Sequence, residues 1–140
     1  YLEPLADEAP EGWVVTGYPW YDLPAGPGLD FVNAYKQETG ETPKIGILVG
    51  YTTAKSIAAL INKAGATDTA ALQAAFKDLK VDTPLGEITY RDLDHQSTMG
   101  AYIGTTALKD GAGVMVDWEY KTPEAYMPSD DEIKSMRPAD

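Results

Sequence analysis

Cysteine is absent from the 140 residues, which excludes disulfides, thiolate nucleophiles and cysteine-ligated zinc while leaving the compartment open. Histidine occurs once, at His95, and a lone His without a second strong ligand makes a poor metal centre. Basic residues are scarce: 11 Lys and Arg face 22 Asp and Glu, a net charge of −11 at pH 7. Nucleic acid and anionic membranes attract proteins through basic patches, so both are poor partners here. The shortage is sharpest at the ends, with no Lys or Arg before Lys36 and an acidic run at Ser129 to Glu132. No apolar run is expected to approach the ~20 residues of a membrane span. The chain opens at Tyr1 with no initiating Met and no signal peptide. Together with too few strands to close a covered sheet, this start gives the expectation of a piece of a longer protein. Internal repeats and low-complexity segments are also missing.

What is present is enough for about one domain with a real core. The organising stretch runs from Thr42 to Ala66. Thr42 as cap and Pro43 at the first helical position predict a helix start, because proline lacks an N–H and already has a helical φ. Gly65 predicts its end. Ile57, Leu60, Ile61 and Ala64 recur at the spacing of one buried helical face. The first half is instead small (Gly46, Gly50, Thr52, Thr53, Ala54), with Tyr51 standing out, and is the place to look for a site.

Residues 1 to 11 are acidic and proline-punctuated and read as a frayed tail. Trp13 to Gly17 reads as a short buried strand. It empties into a loop over residues 18–28, where Tyr18, Trp20 and Tyr21 lie within four positions and Pro19 is expected to hold them extended. A loop after a buried strand is where α/β proteins place ligand contacts. The rings either line such a site or pin the loop to the core, and the sequence favours neither.

Helices are predicted over Leu29 to Thr39, with Leu29, Val32 and Tyr35 on one face, and after Asp68 or Thr67, with Leu72, Ala75, Phe76 and Leu79 buried. From Thr83 the pattern turns to β. Thr83 to Arg91 reads as a bent strand, and Met99 to Leu108 with Val114 to Tyr120 as a hairpin joined by residues 109–113. A short acidic helix is expected around Asp130 to Met136.

Catalytic and phosphate-binding motifs are weak. Residues 50–56 superficially match a phosphate loop, but the second glycine is missing, the spacing is one short, and helical N–H groups cannot cradle phosphate. No G-x-S-x-G, H-E-x-x-H or EF-hand loop is present. Asp94, His95 and Ser97 could be imagined as a hydrolytic triad, yet triads are spatial and a contiguous cluster rarely has the geometry. A hydrogen-bonded turn histidine is the expected role.

The chain resembles the C-terminal part of ABC-transporter solute-binding proteins of the leucine/isoleucine/valine-binding type, with the type I periplasmic binding fold. The resemblance is carried in order by Tyr51, Ala64-Gly65, Asp68, Leu72, Thr83-Pro84, Gly86, Ile88, Tyr90 and Asp94-His95-Gln96. It implies an α/β fold with a strand, three helices, then β-strands with a hairpin, forming a portion of two lobes around a ligand cleft. Residues 1–82 would belong mainly to the N-terminal lobe and 83–140 mainly to the C-terminal lobe. The implied function is capture of a small amino acid or an aromatic or branched organic acid in the periplasm, after secretion, for delivery to a membrane permease. Tyr18, Trp20, Tyr21, Tyr51 and Thr52 match the ligand-contacting positions. No enzyme activity, cofactor or metal is implied. The alternatives are a receptor's ligand-binding domain of the same fold and, from another class, a hydrolase using Asp94, His95 and Ser97. Missing its partner lobe, the fragment would be expected to dimerise through exposed apolar faces.

Overall fold

Asp110-Gly111 is the strongest turn signal in the chain, and the longest strand pair is built on it. In the computed structural model, which describes residues 3–136, β4 (Ala101–Lys109) and β5 (Ala112–Lys121) pair antiparallel with Lys109 opposite Ala112. The two turn residues have φ of 53° and 74°, as a tight hairpin turn that follows the twist of its strands requires. The register slips by one residue between Ile103 and Thr105, where Asp117 on β5 takes a φ of 48°. This extra residue changes the parity of β5. Met115 before it and Trp118 and Tyr120 after it consequently pack into one core, against Tyr102 of β4.

β1 (Val14–Gly17) adds to the free side of β4, giving the order β1-β4-β5. It is an edge strand and not the buried strand expected: Trp13 and Val14 are 64% and 78% exposed. Its apolar run is short because only Val15 packs against the core. The segment ahead of it is not frayed either. A 3₁₀ turn spans Glu3–Glu8, Ala9 is buried, and Gly12 N donates to Thr106 O at 2.8 Å. Glu11 accepts from Leu108 N, so the segment satisfies backbone groups at the edge of β4. Residues 1 and 2 of the expected tail lie outside the described residues.

α1 (Pro27–Thr39) starts with proline, as its fixed φ favours, and ends where Gly40 turns left-handed. α2 (Ile45–Ala64) ends at left-handed Gly65 as expected, but begins two residues late, with Lys44 extended at its cap. Pro43 is fully buried ahead of the helix and therefore fixes the chain's approach to it. The buried face is also different: Leu48, Thr52 and Ser56, at i, i+4 spacing, with Ala59 and Leu60 packed below them. Ile57 and Ile61 are exposed. Hydrophobic spacing picked the stripe with most isoleucine, whereas small side chains let the helix sit closer to the strands beneath. By length and composition, α2 is the one described helix apolar enough to cross a membrane, contrary to the sequence expectation.

Asp68 caps α3 (Thr69–Phe76), accepting from Ala71 N at 3.1 Å. Leu79 does not extend it but opens β2 (Leu79–Thr83), which pairs with β3 (Gly86–Tyr90) across Pro84-Leu85. The expected single bent strand is thus a hairpin, closed by Thr83 Oγ1 donating to Gly86 O and accepting from Leu85 N. Two cores result. One joins Tyr18, Val32, Leu48, Tyr102 and Met115; the other joins Leu79, Val81 and Ile88 beneath the C-terminal half of α2. The position between residues 82 and 83 falls inside the β2–β3 hairpin, and the first core takes residues from both sides of it. α4 (Asp130–Met136) lies where the sequence places it, capped by Ser129, whose Oγ accepts from Glu132 N while Glu132 Oε2 accepts from Ser129 N.

Candidate ligand-binding site

Pro19 is fully buried and bends the loop after β1 instead of extending it. Trp20 N donates to Tyr18 O at 2.9 Å and Asp22 N to Pro19 O at 3.0 Å, which makes two consecutive tight turns. The loop is then tied down at three points. Tyr18 is buried in the first core, 6.0 Å from the Tyr102 ring, and its hydroxyl donates to Gly28 O. Burial, with Tyr102 adding to it, pushes the Tyr18 hydroxyl pKa well up, so it stays a neutral donor. Tyr21 Oη donates to Met115 O at 3.0 Å and accepts from Met115 N. Trp118 Nε1 donates to Asp22 Oδ2 at 2.9 Å.

A cavity of ≈ 250 Å³ opens between this loop, the start of α2 and β5. Trp20 and Tyr21 line it edge to face, with ring centroids 5.4 Å apart. Ile45, Val114 and Met115 add apolar surface, and Lys44 is the one charged side chain in the lining. On the outer side, Lys36 Nζ stands 4.1 Å over the Trp20 ring, a cation–π contact. No carboxylate lines the cavity, although acids outnumber bases two to one in the chain. Its walls therefore offer rings for stacking and a positive charge at one end.

The five residues singled out from the sequence do not form one surface. Tyr18, Trp20 and Tyr21 line this cavity. Tyr51 lies in a separate groove, its ring 4.8 Å from Phe31. Thr52 is buried at 3% exposure, and no hydrogen-bond partner for its hydroxyl occurs among the described residues. Nothing in the residue pattern signals Lys36, Lys44 or Met115; only the fold brings them to the loop.

The Asp94–His95–Ser97 cluster is a turn. The Arg91 guanidinium grips Asp94 through Nε and Nη2, and this hydrogen bonding holds the Asp94 carboxyl down at about 2. Asp94 also accepts from Gln96 N, and Arg91 reaches Pro128 O at 2.9 Å. His95 has a φ of 60° and stacks edge-on against Phe76 at 4.8 Å. The acid is committed to Arg91, so it is not available to orient the imidazole as a triad needs.

Residues 1–112 match the family described as periplasmic binding protein. Among solved structures, the chain is similar to an ABC-type branched-chain amino acid transporter from Rhodopseudomonas palustris CGA009. The identity is 24% and the TM-score 0.66, over 86% of this chain and 34% of that one. It is similar also to a solute-binding protein of an ABC transporter from Rhodopseudomonas palustris BisB5 in complex with 3,4-dihydroxybenzoic acid (24%, TM-score 0.68, 86% and 34%). A third is the leucine-, isoleucine-, valine-, threonine- and alanine-binding protein from Brucella ovis in its closed conformation (19%, TM-score 0.58, 85% and 32%). A search of curated proteins finds no match. The chain spans about a third of the length of these solved structures. Its strands, helices and hairpin form part of the type I periplasmic binding fold, and the chain belongs to the periplasmic binding protein family.

Proposed function

We propose that this chain is part of a solute-binding protein that captures a small organic acid or amino acid in a cleft and presents it to the permease of an ABC importer. The cavity behind Trp20 and Tyr21 forms one wall of that cleft. The observation that carries this reading is the loop itself: Tyr18 and Tyr21 spend their hydroxyls holding it to the core, which leaves the Trp20 face pre-organised for stacking. Tyr51 and Thr52 fall outside the wall. Of the two ligand classes, an aromatic or branched acid fits better, because the lining is aromatic and apolar and holds no acidic side chain for an ammonium. Family membership supports a binding role without turnover and a periplasmic location.

Calorimetry of the full-length protein against hydroxybenzoates, leucine and phenylalanine tests the reading. Saturable one-to-one binding of at least one of these solutes, with the aromatic acids tighter than the amino acids, is the expected result. Binding of none of them contradicts the assignment of this cavity to solute capture.

A further inference from the structure

A second concave surface, sharing no lining residue with the first, lies between α1, α2 and the β2–β3 turn, with a volume of ≈ 820 Å³. Its floor is a run of three rings: Phe31 is 6.3 Å from Tyr35 and 4.8 Å from Tyr51. Pro84 of the hairpin turn adds to the apolar lining. The volume lies within the range of small-molecule sites.

The charge around this groove is the reverse of that around the Trp20 cavity. Asp30 and Glu38 of α1 and Asp82 and Glu87 of the hairpin stand in its lining against one cation, Lys55. Lys80 pairs with Glu87 at 2.8 Å. Among the described residues, no ion pair takes up Asp30, Glu38 or Asp82. An aromatic floor presents negative π-faces, and unpaired carboxylates beside it add to the same field. An anion is repelled there, a zwitterion loses at its carboxylate what it gains at its ammonium, and a neutral apolar molecule would leave the carboxylates unused. A cation with an apolar body satisfies both parts.

We propose that this groove is a binding site for a small organic ammonium bearing an aromatic or branched apolar group, separate from the solute cavity. The body lies on Phe31, Tyr35 and Tyr51, and the ammonium points to Glu38 and Asp82. The groove is built only from residues of this chain, so the proposal stands or falls independently of the ligand at Trp20.

The test uses 2-phenylethylammonium and its charge-reversed analogue 3-phenylpropionate, followed by calorimetry and by amide chemical shifts of the full-length protein. The ammonium is expected to bind saturably, with shifts centred on α1, Tyr51 and residues 82–87, and about tenfold or more tighter than the anion. Glu38→Gln combined with Asp82→Asn should weaken it by roughly tenfold at unchanged melting temperature. The distant Asp131→Asn should leave it unchanged. Equal binding of the two probes, shifts located elsewhere, or an equal loss with Asp131→Asn would each overturn the proposal. The last outcome would mean attraction to an acidic surface and no site.

Discussion

Replacing Leu48 by alanine is expected to lower the unfolding free energy by roughly 3–5 kcal/mol, the largest single loss available in the first core. Leu48 is 0% exposed, and it is the buried residue that α2 places in one cluster with Tyr18, Val32, Tyr102 and Met115. These come from the aromatic loop, α1, β4 and β5, so a cavity at residue 48 has walls on four separate elements. Walls tied by sheet hydrogen bonds and by the Tyr21–Met115 contact cannot collapse inward, so the cavity term stays near its upper range. Ile57→Ala on the exposed side of the same helix should cost under about 1 kcal/mol. Urea denaturation of the two variants checks the contrast. Equal losses would contradict the assignment of Leu48 to the buried face and Ile57 to the exposed one.

Gly104→Ala is the second large effect. The glycine sits at the register slip of β4, where a Cβ would stand 2.7 Å from Met115 Cγ, 2.8 Å from Trp118 Cβ and 2.8 Å from Val116 O. Met115 can swing away, but Trp118 Cβ and the Val116 carbonyl belong to the sheet and cannot without breaking its pairing. An added methyl here is expected to cost on the order of 3 kcal/mol or more. It should also disturb the Tyr102–Trp118 contact at 5.3 Å, visible as a loss of near-ultraviolet circular dichroism. By contrast, Gly50 on α2 has open space around its missing Cβ, and Gly50→Ala should stabilise through helix propensity by about 0.5–1 kcal/mol. Thermal denaturation of both variants is the check, and a Gly104→Ala protein with wild-type stability would contradict the assigned bulge.

These two positions show where sequence reasoning reaches and where it stops. Local chemistry was legible: Gly40 and Gly65 end helices, Asp68 caps one, and Asp110-Gly111 turns a hairpin, each because the backbone needs that residue there. Burial was less so. Ile57 and Ile61 outrank Thr52 and Ser56 on any hydrophobic scale, yet Ser56 donates to Thr52 O and accepts from the Tyr90 hydroxyl. That arrangement satisfies the buried Ser56 hydroxyl against Tyr90 of the β2–β3 hairpin, whereas the Thr52 hydroxyl finds no partner among the described residues. β2 was hidden because Leu79 continues the apolar spacing of α3, until Asp78 with a φ of 47° breaks it. The aromatic loop was found by composition alone. Its division into anchors (Tyr18, Tyr21) and a cavity-facing ring (Trp20) depends on Gly28 O and Met115, which approach only in the folded chain.

The most direct measurement is the pair of numbers given by Trp20→Ala in the full-length protein: solute affinity by calorimetry and melting temperature without solute. Trp20 is half-buried: its indole meets Tyr21 and Lys36 and packs on the outside of the first core without being one of its buried members. Loss of its stacking face should weaken the bound acid by about 1–3 kcal/mol, roughly 5- to 200-fold, while the solute-free melting temperature moves by less than about 3 °C. Normal affinity with a much lower melting temperature would contradict the account, and would place Trp20 with Tyr18 and Tyr21 among the residues that only hold the loop.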